Sequence, residues 1–72
     1  MKDNNLEKLG QRIKDSRIEC GYTQKALAQL IGIAQNTIAQ YENGTAKPSL
    51  EALVKLSDAL NTTTDYLLCG ID

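Results

Sequence analysis

At 72 residues, with 24% of them charged and a formal net charge of −1 at pH 7, the chain has length for one small domain, expected to span 1–72, and no broad attraction for polyanions. It has no His, Trp or Phe and only two cysteines, Cys20 and Cys69, far apart in sequence, which leaves no zinc site of ordinary ligand spacing. No apolar run approaches the length of a membrane span, and the N-terminus "MKDNNLEKLG" is too polar for a secretory signal.

Leucine is plentiful and runs of β-branched residues are missing, so the expected fold class is all-α. Glycines mark the joints. A first helix is expected from about Asn5 to Cys20, ending at Gly21, with Leu6, Leu9, Ile13 and Cys20 as its buried stripe. Thr23 caps a second helix, Gln24 to Ile31, which stops at Gly32 and turns Leu27, Leu30 and Ile31 inward. A third runs from about Gln35 to Asn43 and stops at Gly44. After the loop "GTAKP", Ser49 caps a fourth helix reaching about Leu60, with Leu50, Leu53, Val54 and Leu60 inward and Glu51 well placed in its first turn. Thr63 or Thr64 opens a last turn, "DYLL", whose Tyr66, Leu67 and Leu68 close the core. The sum is a compact five-helix bundle with a core over about residues 6–69. Both cysteines read as reduced, partly buried thiols of a cytoplasmic protein.

The stretch "GIAQNTIAQYENG" departs from an ordinary surface helix. At about 100° per residue, Ala34, Ile38, Tyr41 and Glu42 fall on one side of the third helix, and Asn36, Gln40 and Asn43 fall opposite. The outer side thus carries amides where Lys and Glu would be usual. Only a few residues around Gly32 join the second and third helices, so the two must cross sharply. Gly32 permits the positive φ of such a turn, and Ala28 is small enough for a close crossing.

The segment "QKALAQLIGIAQNTIAQYEN" resembles the helix-turn-helix of the phage repressor and Cro-type (XRE) family of DNA-binding domains. Leu27, Ala28, Ile31, Gly32, Ile33, Ile38 and Tyr41 match that family's core and turn positions. The likeness extends from "RIKDSRIECGYTQ" through "YENGTAKPSLEALVKLSDAL" to "DYLL", nearly the whole chain. It implies a lambda-repressor-like bundle in which helices two and three form the motif and helix three enters the major groove. By the matching positions, Gln35, Asn36 and Gln40 are the implied base contacts, since carboxamides pair bidentately with adenine. Thr23, Gln24, Thr37, Asn43, Gly44, Thr45 and Lys47 are the implied contacts to the DNA backbone, Gln24 through its side chain or through the helix N-terminal amides. Two departures stand out. Ala34 replaces the usual Ser or Thr cap of helix three, and Ala46 takes a loop place that is often basic.

Arg17 falls within the apolar stripe of helix one. A guanidinium facing a core is costly unless paired, and Glu42, on the inward edge of helix three, is its natural partner. Otherwise its stem must carry the charge out to water. The family commonly has an Arg–Glu pair at these places, so the resemblance implies a structural ion pair of Arg17 and Glu42.

The resemblance implies a bacterial or phage-encoded transcriptional regulator, a repressor acting on double-stranded DNA. One short reading helix covers few base pairs, so a homodimer on a pseudo-palindromic operator is expected. No cofactor, metal or small-molecule ligand is evident. An enzyme is not expected either, because Glu7, Asp15, Glu19, Glu51 and Asp58 are a solvated scatter. The alternative is a helical protein-interaction module, or an antitoxin whose main partner is another protein.

Overall fold

The computed structural model of the chain describes residues 4–70. They form five helices: α1 (Asn4–Glu19), α2 (Gln24–Ile31), α3 (Gln35–Asn43), α4 (Leu50–Ala59) and α5 (Thr64–Cys69). No strand occurs among the described residues. The starts of three helices are set by hydroxyl side chains. Thr23 Oγ1 accepts from the Ala26 N–H, Ser49 Oγ from Ala52 and Thr63 Oγ1 from Tyr66, at 3.0, 3.1 and 3.0 Å. Each bond satisfies a first-turn donor that a helix cannot satisfy internally.

The core is built from one fully buried side chain per helix: Ile13, Leu27, Ile38, Leu56 and Leu67. Leu9, Ala28, Ile31, Tyr41, Ala52, Leu53 and Leu60 surround them, and Leu6, Ile33 and Tyr66 pack half-buried against that cluster. α1 packs on α3 and α5, α2 on α3 and α4, and α4 on α5. α3 is therefore covered from two sides by α1 and α2, while its outer side is open.

Several residues expected in the core lie outside it. Leu30, Leu50, Val54 and Leu68 are exposed, as is Cys20, and Cys69 is exposed too rather than partly buried. In α4 the buried line is Ala52, Leu53, Leu56 and Ser57. Leu50 and Val54 each stand two residues from Ala52, about 200° around the helix, and so face away from it. In α5, Leu68 is turned about 100° from the fully buried Leu67. α1 ends at Glu19, and the Cys20 thiol donates to the Leu60 carbonyl at 3.4 Å from outside the apolar cluster.

Candidate nucleic-acid interface

The joint between α2 and α3 is compact. Gly32 has φ 72°, in the left-handed region where a side chain would be strained, and its N–H donates to the Ala28 carbonyl. The Ile33 N–H reaches the same oxygen at 3.0 Å. The chain then extends through Ala34 (φ −63°, ψ 141°) and begins α3 at Gln35. Ala34 makes no side-chain cap, and it is exposed rather than turned inward as its angular position suggested. Its carbonyl nonetheless accepts from Thr37 and Ile38 at 3.0 and 3.1 Å, so the first turn is closed by the backbone alone.

α3 is two-faced. Ile38, Tyr41 and Glu42 are buried, whereas Gln35, Asn36, Gln40 and Asn43 are exposed and Thr37 is half-buried at the boundary. Glu42 is the only carboxylate from Thr23 to Lys47. With that one buried, the exposed polar side chains of this segment are amides, hydroxyls and the cations Lys25 and Lys47, while the exposed Glu7 of α1 packs against Gly44 at its edge.

The loop after α3 holds its own shape. Gly44 takes φ 80° and donates to the Tyr41 carbonyl at 3.3 Å, while the N–H groups of Thr45 and Ala46 both reach the Gln40 carbonyl. Asn43 Oδ1 accepts from the Thr45 hydroxyl at 2.7 Å and from its N–H at 3.2 Å. The acceptor end of Asn43 is thereby occupied within the loop, leaving its NH2 donors for an outside acceptor. Lys47 is exposed at the far side of this turn, before the buried Pro48.

Behind the exposed face, Arg17 and Glu42 are brought together. Arg17 Nε and Nη2 donate to the two carboxylate oxygens at 2.6 and 3.1 Å, a bidentate pair with side chains only 11% and 4% exposed. Arg17 Nη1 donates to the Tyr22 carbonyl at 2.8 Å, tying in the turn between α1 and α2. Gln24 Nε2 adds a donor to Glu42 Oε1 at 3.0 Å. The Gln24 side chain is thus engaged with the protein, while Thr23 is engaged as the α2 cap. The N–H groups of the first two α2 residues have no helical partner and point out of the helix start.

Sequence reasoning passed over Gly10. It lies inside α1, is buried, and abuts the main chain of Tyr41 and Glu42. The signal was present, because a glycine inside a helical pattern often marks a close backbone approach.

This geometry, a buried scaffold under a two-helix turn with one exposed polar face, is that of a helix-turn-helix domain. The helix-turn-helix family model matches residues 13–67, and the chain belongs to that family. Over 60 residues it is 43% identical to the HTH-type transcriptional regulator ImmR of Bacillus subtilis, covering 83% of this chain and 47% of that protein. The crystal structure of the P22 c2 repressor in complex with a synthetic operator superposes with a TM-score of 0.84 at 36% identity, covering 88% of this chain and 96% of that one; its source is Salmonella phage P22. The biofilm master regulator SinR, solved in complex with DNA, gives 0.78 at 38% identity, covering 83% and 97%. The chain spans about half the length of the full-length regulators of Bacillus subtilis that it matches.

Proposed function

We propose that this chain is the DNA-reading part of a transcriptional repressor, binding double-stranded DNA sequence-specifically with α3 in the major groove. The observation that carries this reading is a set of exposed amides, Gln35 at the start of α3 and Asn36 and Gln40 along its outer side, on a helix held from behind by a buried ion pair. Carboxamides offer a donor and an acceptor at fixed spacing and match the N6 and N7 edge of adenine. Around that row stand the groups for phosphate: Thr23 and the free N–H groups at the α2 start, which include that of Gln24, then Thr37, Asn43, Gly44, Thr45 and Lys47. The protein acts where cellular DNA lies, in the cytoplasm of a bacterium. None of the helices among the described residues is long and apolar enough to cross a membrane.

One α3 touches only a few base pairs, so two copies share one operator, their α3 helices about 34 Å apart along the duplex. With few cations on this face, nonspecific affinity is low and the specific complex depends on salt.

Selection of bound duplexes from a random pool at a stated salt concentration tests the proposal. The expected result is an inverted repeat with half-site centres about one helical turn apart, holding two chains at saturation. One chain per site would overturn the dimer. Recovery of no preferred sequence, with no salt dependence, would point to a protein partner instead.

A further inference from the structure

Among the described residues Glu42 is the only buried carboxylate, and two other helices send donors to it: Arg17 from α1 and Gln24 from α2. The bidentate Arg17 pair balances its charge. The Gln24 bond at 3.0 Å is therefore not needed for neutralisation, yet it comes from the first residue of the helix that precedes α3. A carboxylate only accepts, so the half-buried Gln24 carboxamide turns its NH2 toward Glu42 and commits one of its two N–H donors there.

We infer that Gln24 is a positioning residue: acting through Glu42, its side chain fixes the tilt of α3 against α2. This rests on the DNA-reading function proposed above.

The leverage is geometric. Glu42 is seven residues from Gln35 along α3, about 10 Å at 1.5 Å per residue, so a tilt of roughly 5° at Glu42 moves the Gln35 end by about 1 Å. A bidentate contact to a base edge tolerates less than that, because both hydrogen bonds weaken together. A phosphate contact from a flexible Lys47 follows such a movement easily. Loss of the Gln24 bond therefore shows in discrimination between base pairs more than in grip.

Gln24→Met keeps the length of the side chain, removes the donor and leaves the Arg17–Glu42 pair in place. Affinities of the wild-type chain, Gln24→Met and Lys47→Ala are measured on the selected duplex and on one mismatched at the Gln35 base pair, at several salt concentrations. Gln24→Met is expected to reduce the matched-to-mismatched ratio by roughly tenfold, about the strength of one hydrogen bond to a charged group, with an unchanged salt slope. Lys47→Ala is expected to do the reverse, keeping the ratio and flattening the slope by about one. If Gln24→Met weakens both duplexes alike and keeps the ratio, with the fold intact, the side chain is a phosphate ligand and the inference fails. If it lowers the melting temperature and leaves the ratio intact, Gln24 serves the fold alone and the inference fails as well. A wild-type chain with no preferred duplex overturns the DNA-reading proposal first, and this inference with it. An independent check needs no variant. In the free protein one Gln24 side-chain amide proton should be shifted downfield and slowed in exchange relative to those of Gln35 and Gln40. Equivalence of the three would also overturn the assignment.

Discussion

A Cβ built on Gly10 would lie 2.5 Å from the carbonyl oxygen of Glu42, so α1 rests directly on the backbone of α3's last turn. Arg17, seven residues further along α1, is nearly two helical turns away and on the same face. One helix therefore supports α3 twice, by van der Waals contact at Gly10 and by charge at Arg17. Both supports meet α3 at Tyr41 and Glu42, away from the end that carries Gln35.

Gly10→Ala tests the steric support. In an open helix the change would gain up to about 1 kcal/mol from helix propensity. Here the methyl meets main-chain carbonyls that cannot rotate away, and overpacking of about 1–3 kcal/mol should win. Urea unfolding should show a lower midpoint with the same slope. A raised midpoint would mean that α1 can step back from α3 at no cost.

Arg17→Met and Glu42→Leu test the charged support. Each alone strands a buried partner and should destabilise by about 3 kcal/mol or more, whereas the double replacement should cost much less than the sum. A double-mutant cycle in urea measures the coupling. Strictly additive losses would mean that the two side chains do not support each other in solution.

Reading and gripping should separate at α3 and its loop. Gln35→Ala is expected to cost roughly 1–3 kcal/mol on the preferred duplex and to relax selection at one base pair, an A·T. Binding isotherms on a set of duplexes varied at that pair report both effects. An unchanged base preference would remove the amide row from the reading surface.

The missing cap of α3 offers a gain. Ala34 has the extended backbone of an N-cap but no side-chain acceptor. Ala34→Ser should place a hydroxyl on the first-turn N–H groups and stabilise by about 1 kcal/mol. In a domain of this size that raises the melting temperature by roughly 4–8 °C. No rise in a thermal melt would show that the backbone closure at Thr37 and Ile38 already suffices.

Much of this protein is local and was legible from sequence alone. Thr23 and Ser49 cap helices because a hydroxyl satisfies donors two or three residues away, the last cap fell to Thr63 of the two candidates Thr63 and Thr64, and Gly32 and Gly44 turn the chain because φ is a property of one residue. That Asn36, Gln40 and Asn43 share the outer side of α3, opposite the inward Ile38 and Tyr41, follows from 100° per residue. Periodicity also put Arg17 and Glu42 each on the inward side of its own helix. Tertiary structure decided the rest. Leu50 and Val54 read as core by their chemistry, yet α4 turns Ala52, Leu53, Leu56 and Ser57 inward, because a short helix presents only the arc its neighbours cover. The same holds for Leu30 and Leu68. The contact of Gly10 with the end of α3, and the reach of Gln24 to a carboxylate eighteen residues away, depend on how helices cross. A helical pattern specifies angles about its own axis. The distance and tilt between two axes are set only when both are packed against the same core.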